Sequence, residues 1–163
     1  MKKVLMTLVL ALAASTATTH AQEIYTEVRK MAQESIDNPA TTPQVRQISQ
    51  FKLDALNYMA MKMREEMPDS TAEFLDKEAL SLHIFINNYT NALVANGQQP
   101  AAHQMKIIKA FMDASYSNPL FNDDDREMVL AYFNDGNSMT RFSLDTDWRR
   151  AVLAAEEAMK RLQ

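Results

Sequence analysis

The clearest chemical pattern in this sequence is a row of three methionines spaced four residues apart. Met59, Met63 and Met67 fall on one face of a predicted helix at successive turns. Thioether sulfurs are soft ligands that select cuprous copper, so this row is a candidate metal site. Alternatively, the three side chains fill irregular gaps in a core, because Met59 and Met63 share an apolar face with Ile48 and Leu56. We favour the core interpretation and assign no cofactor.

Residues typical of other catalytic and metal sites are few and scattered. The sequence has no cysteine, which excludes disulfides, thiolate metal sites and a cysteine nucleophile. His83 and His103 lack the spacing of a zinc pair, and no Gly-x-Ser-x-Gly elbow occurs. The run Asp123-Asp124-Asp125 lacks the glycine and glutamate of an EF-hand loop and fits a helix N-terminus instead. We therefore assign no catalytic residue.

Two charged side chains interrupt apolar helix faces. Lys52 lies within the apolar face of one predicted helix, and Glu78 lies within that of the next. Buried charges are costly unless they are paired. In an antiparallel hairpin, Lys52 is farther from the connecting turn than Glu78 by roughly 10 Å of helix rise, so the two meet only if both side chains lean together. We expect each side chain to extend to the edge of the bundle instead.

A long central helix over 70–97 must position these groups. Ser70 and Glu73 form a predicted capping box at its start, and Gly97 is predicted to end it in a left-handed conformation. Its broad apolar face comprises Phe74, Leu75, Ala79, Leu82, Phe85, Ile86, Tyr89, Ala92 and Leu93. Leu80 and Ile84 lie outside that face and form a small patch. Either another helix covers this patch, which a bundle favours, or it is exposed as an interaction surface.

Five further segments have helical patterns. They are 23–36, 43–67 with Thr42 as its cap, 100–116, 122–134 and 145–162, where Asp145 is the predicted cap. The short turn at Pro68 predicts that the second of these and the central helix form an antiparallel hairpin. Trp148 heads the narrow apolar stripe of the last helix, so we predict that it anchors the core. No alternating strand pattern occurs, and the fold class is all-α, a single-domain bundle of five to six helices built on that hairpin.

The first 21 residues predict a secretory signal peptide. Lys2 and Lys3 precede a short apolar run, and Ala21 is suited to cleavage. We divide the chain into a signal peptide (1–21), a short helix with a proline-containing linker (22–43) and a helical bundle domain (44–163). The expected location is periplasmic or secreted, with no membrane span after cleavage.

The charge balance bears on possible partners. Aspartate and glutamate number 21 against 17 lysines and arginines, a net charge of −4, and two of the lysines belong to the predicted signal peptide. Nucleic-acid binding depends on basic patches, so we do not expect a nucleic-acid partner. The same balance disfavours electrostatic docking to anionic lipid.

Three segments resemble a known group of proteins. QFKLDALNYM (50–59), NPLFNDDDREMVLAYF (118–133) and TRFSLDTDWRRAV (140–152) resemble an uncharacterised family of small secreted helical proteins of Gram-negative gut anaerobes. The resemblance implies an exported all-α protein and supplies no activity, ligand or catalytic residue. Asp69-Ser70-Thr71 is similar to the short O-glycosylation acceptor of such bacteria, which makes Ser70 a glycosylation candidate besides its predicted role as a helix cap.

By elimination, the sequence predicts a non-enzymatic exported protein that binds another protein or a cell-envelope component. The alternative is a bundle that handles a small ligand or cuprous ion, with the methionine row as its site. An enzyme with a dispersed carboxylate site is the third interpretation, because paired acids on separate helices cannot be recognised in a sequence.

Overall fold

The computed structural model describes residues 23–121 and 123–162, so the predicted signal peptide lies outside the described residues. The helices are α1 Glu23–Asp37, α2 Pro43–Glu66, α3 Ala72–Ala95, α4 Ala101–Tyr116, α5 Arg126–Val129, α6 Ala131–Asn134 and α7 Trp148–Lys160. Among the described residues no strand occurs; a single antiparallel bridge joins Pro119 and Thr146. The prediction of an all-α single-domain fold is therefore confirmed.

The antiparallel hairpin of α2 and α3 follows from local signals at both of its ends. The Thr42 hydroxyl accepts the N–H of Val45 at 3.3 Å, and Pro43 occupies the first helical position, where a missing N–H costs nothing. After α2 ends at Glu66, the N–H of Ser70 donates to the carbonyl of Met67 at 2.9 Å and closes the tight turn. The hairpin is as predicted.

The end of α3 differs from the prediction. Gly97 does not adopt the left-handed conformation, so the predicted glycine cap is wrong. The cap residue is Asn96, whose side-chain amide donates to the carbonyl of Ala92 at 2.9 Å. Because an asparagine side chain satisfies one of the free carbonyls of the last turn, this end does not need a positive φ.

The bundle packs around α3, which contacts α1, α2, α4 and α7. Its centre is a group of aromatic rings that meet edge to face, a preferred geometry for aromatic pairs: Phe51, Phe85, Phe111, Phe142 and Trp148. Trp148 is fully buried, with ring centroids 5.9 Å from Phe51 and 5.4 Å from Phe85. The prediction that Trp148 anchors the core is confirmed.

The segment between α6 and α7, to which the sequence patterns assign no helix, belongs to the core. Phe142 is fully buried among the aromatic rings, and the polar residues around it are also buried. The Ser143 N–H donates to the hydroxyl of Ser115 on α4 at 2.9 Å, and the Ser143 hydroxyl donates to Asp145 at 2.6 Å. Buried polar groups must find such partners, so this segment carries its own hydrogen-bond network into the interior.

The predicted cap of the last helix is wrong by two residues. Asp145 is 1% exposed and accepts from the guanidinium of Arg126 at 2.9 Å, so it holds the loop rather than the helix. Asp147 is the N-cap of α7, and its Oδ1 accepts the N–H of Arg150 at 2.9 Å. Both aspartates precede the same apolar stripe, and the sequence alone did not distinguish them.

The single helix predicted over 122–134 is divided into α5 and α6. The carbonyl of Val129, which would accept the N–H of Phe133 in a continuous helix, accepts the N–H of Leu144 at 3.0 Å. Competition from the buried loop therefore interrupts the helical ladder. Asp125 caps α5 by accepting the N–H of Met128 at 3.1 Å, in line with the predicted helix N-terminus.

Candidate functional site

A pocket of about 290 Å³ opens where α2 ends and α3 begins. Its apolar lining comes from Ala60, Met63, Met67, Pro68 and Leu75. Tyr25 of α1, Arg64 of α2 and the residues Ser70 and Thr71 of the turn add polar groups to the wall. Three helices and one turn thus supply a small open hollow with both apolar and polar lining residues.

Arg64 is the cation of this pocket. Its side chain is exposed, and its Nε donates to the carbonyl of Ala60 at 3.1 Å, which fixes the base of the guanidinium against the helix. In the part of the chain that the structure describes, no carboxylate pairs with Arg64. The terminal nitrogens are therefore oriented without an internal anionic partner, and guanidinium groups bind carboxylates well.

Two of the three candidate methionines line the pocket. Met63 is 6% exposed and Met67 is half-buried, and both contribute to the wall. Met59 lies one turn deeper, is 1% exposed and belongs to the core cluster. Among the described residues, no group of three or more histidines or acidic side chains is placed to hold a metal ion. Met63 belongs to the same core cluster, and Met67 packs against it. All three methionines therefore take part in core packing, and two of them also line the pocket.

Ser70 does not have its predicted capping role. The N-cap of α3 is Thr71, and no side chain caps this end by hydrogen bonding. Glu73, the expected partner in the capping box, instead forms an ion pair with Lys77 at 2.6 Å one turn along α3. The tight turn uses the backbone N–H of Ser70, which moves the helix start one residue later. Ser70 is half-buried in the pocket wall, and its glycosylation stays a prediction.

Leu80 and Ile84 are neither covered nor fully exposed. Both are half-buried, and neither is among the apolar side chains of the described residues that pack against the core. The expectation that another helix of the bundle covers this patch is therefore met only in part. Neither residue belongs to the pocket lining.

Glu78 does not extend to the edge of the bundle, so this prediction is wrong. Its side chain is fully buried, and Oε2 accepts the N–H of Trp148 at 2.8 Å. The reason is that the N-terminus of α7 lies against it and supplies free N–H groups that a carboxyl can accept. Lys52 is half-buried, and among the described residues it forms no ion pair with Glu78.

Lys52 and His83 are close enough to influence each other. Burial lowers the pKa of Lys52 to about 8. Burial also lowers the pKa of His83 to about 4, and the charge of Lys52 adds to that effect. The histidine is therefore neutral at physiological pH and lies near the charge of Lys52.

The pocket itself is the feature that the sequence did not predict. The turn at Pro68 and the methionine row are visible in the sequence, but Tyr25, which completes the lining, is distant from both along the chain. No carboxylate belongs to the described pocket lining, so this pocket does not supply the paired acids of the dispersed-carboxylate interpretation.

Comparisons with known proteins do not assign the chain to a family. No protein-family model matches it, and no curated protein or solved structure matches it. Within residues 23–121 and 123–162, none of the helices combines the length and apolar character needed to cross a membrane. The resemblance carried by the three segments above stays a prediction.

Proposed function

We propose that this protein is exported and acts as a non-enzymatic binding protein of the cell envelope, and that its partner inserts an apolar group into the pocket at the α2–α3 turn. The observation that carries the proposal is the pocket, a hollow lined by apolar and polar side chains, one of which is Arg64. The N-terminal pattern of Lys2, Lys3 and the apolar run supports export.

The size and chemistry of the pocket favour a protein segment as the partner. At about 290 Å³ the pocket lies at the lower limit of small-molecule sites, so it suits one or two side chains better than a whole cofactor. Binding energy between proteins is concentrated in a few side chains that fill such pockets. Arg64 favours an acidic group next to the inserted side chain, because a bidentate guanidinium–carboxylate contact is geometrically specific.

Crosslinking in the native envelope tests this proposal. A photoreactive amino acid at Met67, in the pocket wall, is expected to capture a partner, whereas the same group at Met105, which is 56% exposed on α4, is not. The captured protein is then purified and its affinity measured. Arg64→Glu is expected to weaken binding about tenfold or more, the effect of losing roughly 1.4 kcal/mol.

Lys106→Glu is the matched charge reversal, since Lys106 is exposed on α4, outside the pocket lining. It is expected to leave the affinity unchanged. Equal affinities of the Arg64→Glu and Lys106→Glu variants would contradict the proposed role of the pocket, as would equal capture from Met67 and Met105.

A second candidate function is the handling of cuprous ion. The observation that favours it is that Met63 and Met67 share the wall of one accessible pocket, where soft thioether sulfurs select cuprous copper. Met63→Leu and Met67→Leu are volume-conserving changes, expected to cost under about 1.5 kcal/mol each. A rise in the melting temperature of the parent with cuprous ion, absent in the double variant, would support copper handling, whereas an unchanged melting temperature would exclude it.

A further inference from the structure

Glu78 is a fully buried carboxyl that lies outside the pocket lining and is not one of the apolar residues of the core cluster. It lies on α3 and reaches the first residue of α7, where its Oε2 accepts the N–H of Trp148 at 2.8 Å. Its second oxygen, Oε1, has no hydrogen-bond partner among the described residues. One carboxyl group therefore joins two helices through residues that are 70 positions apart in sequence, and one of its two oxygens makes no hydrogen bond among the described residues.

The surroundings of this carboxyl oppose its ionisation. Burial first, and then the neighbouring charge of Asp147, raise the pKa of Glu78 from its usual value of 4.5 to about 7. The N–H groups of Trp148 and Arg149 and the charge of Arg149 act in the opposite direction and lower the pKa. Two opposing effects therefore act on the Glu78 carboxyl. The N-terminus of α7 favours its ionised form, whereas burial and the nearby Asp147 carboxylate disfavour that form.

We propose that Glu78 makes the docking of α7 on α3 sensitive to pH, so that α7 is held most firmly when this carboxyl is protonated and loosens as the pH rises past neutrality. In the protonated form, the carboxyl is neutral and Oε2 still accepts the Trp148 N–H. In the ionised form, a charge without a full set of partners lies next to Asp147. Separation of α7 from α3 returns that charge to water and relieves the repulsion.

The direction of the effect follows from proton binding. The docked carboxyl has a pKa of about 7, above its usual value of 4.5, so the docked state holds a proton that the undocked state releases in this range. The stability that Glu78 adds to the docked state is therefore fully present below about pH 4.5 and is lost as the pH rises through 7. From pH 5 to pH 8, the equilibrium constant for undocking is expected to rise on the order of 10- to 100-fold.

Other titrating groups hide this effect in a global measurement. His83, whose pKa is lowered to about 4, stabilises the fold increasingly as the pH rises from 4 to 6.5, which opposes Glu78. Lys52, whose pKa is lowered to about 8, changes the stability of the fold mainly above pH 8. Neither side chain forms a hydrogen bond or ion pair with Glu78 among the described residues. A local readout and a comparison with Glu78→Gln separate the contributions.

Amide hydrogen exchange on the purified protein at pH 5, 6.5 and 8, corrected for intrinsic exchange rates, tests the proposal. In the parent, protection of residues 148–160 in α7 is expected to fall with pH by a larger factor than protection in α2. In Glu78→Gln, which keeps the shape of the side chain without its titration, this excess loss is expected to disappear. Asp76→Asn is the control, because it removes a carboxylate two residues away that contacts α1 instead of α7. This variant is expected to show the same excess loss of protection in α7 as the parent.

Two results would overturn the proposal: the same pH dependence of α7 protection in the parent and in Glu78→Gln, or equal loss of protection in α7 and α2 of the parent. The second comparison needs only the parent and decides the question even if Glu78→Gln does not fold.

Discussion

The carboxylate of Asp76 on α3 accepts the backbone N–H of Tyr25, near the start of α1, at 2.8 Å. Asp76 is 8% exposed, and it lies two residues before Glu78, which accepts the N–H of Trp148 in the same way. The first and last long helices thus both begin against an acidic side chain of α3. A carboxylate at a helix N-terminus satisfies free N–H groups and interacts favourably with the helix dipole.

Removal of the Asp76 carboxylate is expected to loosen α1. Asp76→Ala should lower the free energy of unfolding by about 1–2 kcal/mol, the usual cost of losing a capping group. It should also increase proteolytic cleavage within α1, because α1 depends on this contact at its start. Chemical denaturation and limited proteolysis measure the two effects. The control is Asp113→Ala, because Asp113 is exposed and, among the described residues, its carboxylate pairs only with Lys109 on the same helix, so a change near zero is expected. Equal effects of the two variants would contradict a capping role for Asp76.

Trp148→Ala is expected to be among the most destabilising single changes in the chain. The side chain is fully buried and packs on Phe51 and Phe85, so its loss leaves a cavity at the centre of the bundle. The expected cost is about 3–5 kcal/mol. Leu153→Ala on the same helix, at a residue that is 63% exposed, provides the comparison and should have little effect. A Trp148→Ala variant that melts within a degree or two of the parent would refute the core assignment.

The outer patch of α3 is expected to tolerate charge. Leu80→Asp with Ile84→Asp should fold with near-parental helicity, because both side chains are half-buried and lie outside the core packing. The matched control is Leu82→Asp with Ile86→Asp, the same spacing on the same helix at buried residues, which should not fold. Circular dichroism distinguishes the two double variants.

The same variant tests whether the patch formed by Leu80 and Ile84 is an interaction surface. Loss of self-association or of partner crosslinking in the folded double variant would identify it as one. A folded variant with unchanged mass and unchanged crosslinking would leave two ordinary surface residues, and failure to fold would place the patch in the core.

The neutral state of His83 is expected to make the fold sensitive to acid. Since burial lowers the pKa of His83 to about 4 from 6.5, its contribution to stability is fully present above pH 6.5 and is lost as the pH falls toward 4. The loss is on the order of 3 kcal/mol at most. Denaturant unfolding of the parent and of His83→Gln at pH 4.5 and 7.5 measures it. Relative to His83→Gln, the parent should have a lower free energy of unfolding at pH 4.5 than it has at pH 7.5. The same difference between the two proteins at both pH values would contradict the prediction.

Local sequence signals were sufficient for the helices and their hairpin. Thr42 and Pro43 place the start of α2, and Pro68 enforces the turn before α3, because capping and proline geometry act within a few residues. The burial of Trp148 was predictable for a similar reason, since a helical period places it in register with the apolar stripe that faces the core. Local signals were less reliable at the helix ends. Asn96 caps the end of α3 in place of Gly97, and the start of α3 at Thr71 has no side-chain cap.

Only the tertiary structure decided the roles of the acidic residues and of the segment before α7. Asp145 and Asp147 are equivalent as sequence signals, but Asp145 is buried and accepts from Ser143 and Arg126, whereas Asp147 caps α7. Glu78 has the sequence appearance of a misplaced surface charge, and it is buried because the N-terminus of a helix 70 residues later lies against it. These roles depend on contacts between distant segments, and an amphipathic period or a cap preference within one segment carries no information about which distant group will supply the partner.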